Sequence, residues 1–160
     1  MPPHHLDIIS KPEKIFSYLK SIGLRHLVKF IHKIAKANPY SDAYNSTMWQ
    51  EQSFINFPLL YLASLFLYQY GQERGCTTFI FATRDCCHWY KIFSRMYPHV
   101  DVVYFNCSRN MLSNGIGNNS YKKYVTSVVD DIDRTVFIDV HGTGRRMFHY
   151  FWTCWTCWSC

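Results

Sequence analysis

The sequence predicts an α/β fold: a parallel sheet of three to four strands flanked by helices, behind an N-terminal helical segment. Three observations carry that expectation. From residue 77 onward, short β-rich runs alternate with stretches of helical character, the order that a parallel sheet with crossover helices requires. The runs TTFIFA (77–82), VDVVYFNC (100–107) and VFIDV (136–140) are mostly continuous in apolar residues rather than alternating, as strands covered on both faces are. The chain of 160 residues is 48% apolar and 18% charged, enough apolar material for a real core and too little charge for wholesale disorder.

The elements follow in order. Pro12 suits a first helical turn with Ser10 as its cap, and the chain reads as helical to residue 37. Ile15, Leu19 and Ile22 share a face, which Leu27, Phe30, Ile31 and Ile34 continue after Gly23. Lys14, Lys20, Lys29, Lys33 and Lys36 occupy the remainder, either a solvated face or a basic surface for membrane or nucleic acid. NPYSDAYNST (38–47) has loop composition. Pro58 then opens a helix that runs to about Arg74 and stops at Gly75. Its apolar stretch 54–70 is interrupted by Asn56, Pro58, Ser64 and Gln69 and falls short of the ~20 residues a membrane span needs, so it reads as a buried core helix. Beyond the first strand come a helix over 85–97 closed by Pro98, the second strand, a flexible loop MLSNGIGNN (111–119), a helix over 121–129, the third strand, and a further helix from Gly144 or Arg145. His88 and His149 lie on helices among aromatics and read as packed side chains. The organisation is thus a helical segment (1–44), an α/β domain (45–152) and a Cys/Trp-rich tail (153–160).

A net charge of +6 suits phosphate-bearing ligands without choosing among them, and no motif singles out a nucleic-acid or membrane partner or an oligomeric state. The seven cysteines are odd in number, lack the spacing of a disulfide scaffold and follow no signal segment, so free thiols and a cytoplasmic location are expected. The tail FWTCWTCWSC repeats a W-T/S-C unit; three thiols without a fourth ligand make a poor metal site, and the stretch reads as an aberrant or truncated terminus.

In open parallel sheets, ligands bind beyond the carboxyl ends of the strands. The first strand is followed by Thr83-Arg84-Asp85, the second by Ser108-Arg109-Asn110, and the third ends on Asp139 before His141-Gly142-Thr143-Gly144-Arg145. All three ends are expected at one rim, each with polar groups suited to phosphate or ribose. Gly142 and Gly144 permit a turn whose backbone N–H groups, with the next helix N-terminus and the Thr143 hydroxyl, can cradle a phosphate. Asp139 repels phosphate but can accept from ribose hydroxyls or hold Mg²⁺. Bland readings stand beside these: a plain strand-to-helix turn, a helix cap at Asp139, an ion pair at Arg84-Asp85. Cys86 and Cys87 begin a helix, where a thiol can become a nucleophile, but no matched base accompanies them.

A strand, an Arg-bearing loop, a second strand, a flexible segment and a third strand ending in acid-x-x-x-T-G resembles the type I phosphoribosyltransferases. VFIDVHGTG keeps the apolar strand, Asp139, Thr143 and Gly144, and has Val140 where that family has a second acid. The likeness is closer to the phosphoribosyltransferase-like domain of bacterial surface-polysaccharide proteins, often labelled haloacid-dehalogenase-like, whose strands end in S-R-D-G, S-R and a D-x-G-x-x-G-T-like turn. The segments ending in FATRD, FNCSRN and FIDVHGTG follow that order over roughly 45–150, with Cys86 in place of the glycine after Arg84-Asp85. The resemblance implies a domain that binds phosphoribosyl pyrophosphate with Mg²⁺ for transfer of ribosyl phosphate to a glycan or base acceptor. It implies Asp139 as the catalytic and metal-binding acid at the ribose, residues 82–86 and Ser108-Arg109 at the pyrophosphate, and Gly142 to Arg145 at the 5′-phosphate. A non-catalytic binding or structural descendant shares all of this except the chemistry. A second resemblance, of DVHGT (139–143) to the D-x-D-G-T of haloacid-dehalogenase-like phosphatases, puts His141 where the second acid belongs and leaves no Lys, Asp or Glu downstream.

Overall fold

The computed structural model describes residues 12–107, 118–140 and 149–150. The chain forms two compact units, Met1–Ala63 and Ser64–Cys160.

In the first unit, the single helix expected over 12–37 is two, α1 (Pro12–Ser21) and α2 (Arg25–Lys36). Gly23 causes the break. At φ +84° it ends α1 in the left-handed conformation, with Leu24 N–H donating to the Leu19 carbonyl (2.8 Å) and Gly23 N–H to that of Lys20 (3.2 Å). This paired closure satisfies carbonyls that a helix end otherwise leaves bare. Ile15, Phe16, Leu19, Leu27, Val28 and Ile31 form the core, joined by Phe54, Phe57 and Leu62. Ile22 (43% exposed) and Phe30 (51% exposed), expected on the packed stripe, lie on the surface instead: Ile22 falls in the turn after α1, and the buried stripe of α2 runs through Leu27, Val28, Ile31 and Ala35, leaving Phe30 to one side.

The loop expected over 38–47 is also corrected, since α3 spans Ala43–Glu51. Asp42 caps it by accepting from Asn45 N–H (2.9 Å). Trp49 Nε1 and Gln50 Nε2 donate to the carbonyls of Ile34 (3.1 Å) and Ala35 (3.2 Å) in the last turn of α2, where helix carbonyls lack the full set of intrahelical donors. Pro58 does not open a helix. A π turn (Gln52–Asn56) carries α3 directly into α4 (Phe57–Glu73). In a regular helix the Pro58 ring would crowd the carbonyl of Phe54, and the wider turn just before it relieves that clash.

In the second unit, α4 ends at Gly75 (φ +66°) by the same paired closure used at Gly23, with Cys76 N–H bonded to the Gly71 carbonyl (2.9 Å). There follow β1 (Thr78–Ala82), α5 (Cys87–Met96), β2 (Asp101–Phe105), α6 (Asn119–Val128) and β3 (Thr135–Ile138). The three strands form one sheet in the order β2-β1-β3, parallel throughout, with Phe79 opposite both Val102 and Val136. The alternation of the pleat sorts side chains onto two faces. Phe79, Phe81, Val102, Tyr104, Val136 and Ile138 pack with Phe93 and Trp89 of α5. Ile80, Val103, Phe105 and Phe137 pack with Tyr121 and Val125 of α6 and with Tyr150. The crossover through α5 runs from β1 to β2 and the one through α6 back past β1 to β3; crossovers of one hand in opposite directions place their helices on opposite faces, as found. Among the described residues, no helix is long and apolar enough to cross a membrane. His88 and His149, expected among packed aromatics, are exposed. Cys76, Cys86, Cys87 and Cys107 are free thiols.

Candidate functional site

Parallel pairing fixes where the chain leaves each strand. With Ala82 opposite Phe105 and Phe81 opposite Ile138, the carboxyl ends of all three strands lie on one edge of the sheet. From β1 the chain turns onto the α5 face, while Tyr150, beyond β3, lies on the α6 face against Tyr121 (5.3 Å between rings). The order β2-β1-β3 makes β1 and β3 neighbours whose adjoining helices cover opposite faces. Adjacent strand ends of this kind are the topological switch point, the place where open parallel sheets bind ligands.

The loop after β1 is braced on both sides. The Thr83 hydroxyl donates to the Cys107 carbonyl (2.9 Å) and accepts from the Cys107 N–H (3.1 Å), tying the β1 loop to the chain leaving β2. Its hydrogen is therefore committed within the protein. The Thr83–Arg84 peptide is cis. The Tyr104 hydroxyl donates to the Arg84 carbonyl (3.4 Å), and Cys87 N–H closes a turn on that same carbonyl (3.2 Å). Two tyrosines of α6 fix Asn106: the Tyr124 hydroxyl accepts from its N–H (2.8 Å), and the Tyr121 hydroxyl donates to its carbonyl (3.4 Å). Arg84, Asp85 and Asp139 are exposed on this braced rim.

Cys86 joins the β1 loop to the end of β3. It is fully buried, and its thiol reaches the Ile138 carbonyl at 3.5 Å. Burial pushes the thiol above its ordinary range; the Val140 N–H works against that, and the Asp139 and Asp85 carboxylates add to it. Burial likewise raises Cys107, partly offset by its bonds to Thr83, and Asp139 again raises it. Asp139 therefore lies near enough to act on both thiols, and Asp85 shares the field at Cys86. Burial and the upward shift both work against a nucleophilic thiolate at Cys86. Tyr104 is also shifted upward, by loss of solvent and then by the neighbouring thiols and Asp85.

Of the residues expected at the site, Thr83, Arg84, Asp85 and Asp139 stand together on this rim, Thr83 as a brace. Ser108, Arg109, His141, Gly142, Thr143, Gly144 and Arg145 lie outside the described residues, as do positions 111–117 of the expected loop and the tail 153–160. The sequence reading missed Cys107, Tyr121 and Tyr124 as braces. The signal for the tyrosines was their spacing of three on a helix following a β-rich run, one face turned to the strand ends. Among the described residues, no group of three or more His, Cys, Asp or Glu is placed to hold a metal ion. Comparison with family models, with curated proteins and with solved structures finds no match to the chain.

Proposed function

We propose that the rim between β1 and β3 binds a phosphorylated ribose, as in a phosphoribosyltransferase-like domain, with phosphoribosyl pyrophosphate and Mg²⁺ as ligand and transfer of ribosyl phosphate to a glycan or base acceptor as the reaction. One observation carries the reading. The order β2-β1-β3 sets the Arg84-Asp85 loop and Asp139 on adjacent strand ends, which supports a cation for pyrophosphate and an acid for ribose acting at one rim. Arg84 neutralises pyrophosphate, Asp139 accepts from the ribose hydroxyls, and Gly142 to Arg145 supply the 5′-phosphate turn that the sequence implies. Such chemistry needs positioning and charge neutralisation rather than a protein nucleophile, which agrees with the burial of the Cys86 thiol.

Mg²⁺ fits this rim in one way. Among the described residues the donors at the rim are exposed carboxylate oxygens, Asp139 and Asp85, the hard ligands it prefers, and no group of three or more is placed to hold an ion. The ion suits a site where one or two carboxylates are completed by the ligand's own phosphate oxygens and water. When bound, it would offset charge on the departing pyrophosphate. Asp139 would hold it, with Asp85 beside it.

A second reading, a non-catalytic descendant of the same fold, is favoured by Val140. It is 43% exposed at the rim, in the place of the second acid. Calorimetry with phosphoribosyl pyrophosphate, with and without Mg²⁺, tests both. The transferase reading expects saturable heat that requires Mg²⁺; absence of heat at millimolar ligand favours the descendant. Asp139→Asn is expected to weaken the Mg²⁺-dependent heat and leave the thermal midpoint unchanged, because Asp139 is exposed. A large drop in midpoint would make Asp139 structural, and unchanged affinity would remove it from the site.

A further inference from the structure

Helix α2 breaks several local rules for a stable helix at once. Its sequence, RHLVKFIHKIAK, contains no acid, and its first turn carries Arg25 and His26, where a cation opposes the helix dipole. Leu24 at the N-cap provides no side-chain cap. Arg25, Lys29 and Lys33 follow at intervals of four and Lys36 three further on, so like charges neighbour one another along one stripe. That stripe extends for about 16 Å. The opposite face, Leu27, Val28, Ile31 and Ala35, is buried. Phe30 flanks the stripe, 51% exposed, with one side of its ring resting near Phe57 (6.5 Å) and the other open. Departures from local consistency of this kind concentrate at functional sites.

We infer that the exposed face of α2, formed by Arg25, Lys29, Phe30, Lys33 and Lys36, docks the protein on an anionic membrane surface. Charge complementarity selects the occupant. An anionic leaflet attracts each cation of the stripe and relieves their mutual repulsion. The cations are mainly lysines, whose flexible point charges suit a diffuse field; bidentate reading of nucleic-acid phosphates favours arginine. Phe30 decides further, since an exposed ring beside lysines can enter the headgroup boundary but gains little along a duplex phosphate backbone. The inference does not depend on the ligand at the sheet rim.

The test is sedimentation of the full chain with mixed phosphatidylcholine–phosphatidylserine vesicles at low salt, with pure phosphatidylcholine vesicles as control. Binding to the mixed vesicles alone is expected, weakening as salt is raised. Lys29→Ala and Lys33→Ala should each lower the partition coefficient about fivefold, and Phe30→Ala should remove the binding that survives at higher salt. All three side chains are exposed, and far-UV circular dichroism checks that the helix persists. Lys91→Ala and Lys123→Ala, outside this unit, remove the same charge and should have little effect. The inference is overturned by a chain that stays in the supernatant at low salt, by equal losses in the two control variants, or by capture on a DNA or RNA oligonucleotide without vesicle binding.

Discussion

Gly71→Ala is the sharpest test of how the second unit is packed, because two effects of opposite sign meet there. Gly71 lies on the buried side of α4, and a Cβ added to it would press on the ring tip of Phe79, 2.8 Å from Cε1 and closer still to Cζ. Ordinary contact between carbons needs ~3.5–4.0 Å, so the ring would have to retreat by about 1 Å. It has nowhere to go. Phe79 is fully buried, lies on the central strand between Val102 and Val136, and sits 4.9 Å from the Phe93 ring. Overpacking a site that cannot yield costs ~2–3 kcal/mol, against about 1 kcal/mol that alanine gains over glycine inside a helix. The expected result is a net loss of about 1–2 kcal/mol, or a thermal midpoint ~3–6 °C lower. Thermal unfolding followed by circular dichroism measures it. Repeating the substitution in a Phe79→Leu background removes the ring tip, and alanine should then be neutral or stabilising, giving a large coupling between the two positions. If Gly71→Ala alone raised the midpoint, helix propensity would dominate and the tight approach of α4 to β1 would be refuted.

Other expectations concern the rim and its supports. Thr83→Val removes both hydrogen bonds to Cys107 and should cost about 1–3 kcal/mol in urea unfolding, while Thr83→Ser should stay near the parent. Cys86 and Cys107 both titrate above the ordinary thiol value of 9.0 in the folded chain, so their contribution to stability is complete below that value and lost as pH rises through the folded ones. Urea midpoints should therefore fall on the alkaline side, and replacing both cysteines with alanine should flatten that decline; an unchanged slope would show that the thiols are not its source. Asn118 caps α6 by accepting from Tyr121 N–H (3.0 Å), and Asn118→Ala should cost about 1 kcal/mol by the same measurement.

The strands were legible to within a residue or two because a run such as TFIFA is apolar along its whole length and bounded by turn residues. The stop of α4 at Gly75 was legible for a similar reason, a glycine just past an apolar helix. The helix α3 was not. Asn, Ser, Thr and Asp favour turns by local hydrogen bonding, and what makes AYNSTMWQE helical is the Asp42 cap with the bonds from Trp49 and Gln50 to carbonyls 15 residues earlier. The exposure of Phe30 was missed because Leu27, Phe30, Ile31 and Ile34 have helical spacing themselves, and only packing selects the neighbouring stripe Leu27, Val28, Ile31 and Ala35 as the buried one.

At the candidate site, the polar residues after each strand could be named from the chain alone, since strand ends follow from local composition. Local sequence determined which segments are strands, that they are buried on both faces, and that Arg84, Asp85 and Asp139 follow them. Tertiary structure alone decided that β1 is central, that Arg84-Asp85 and Asp139 follow neighbouring strands, and that the Thr83 hydroxyl bonds Cys107. The reason is one of range. Periodicity is set by neighbours a few residues apart, whereas strand order and the Thr83–Cys107 brace join residues more than 20 positions apart, whose meeting depends on how both sheet faces are covered.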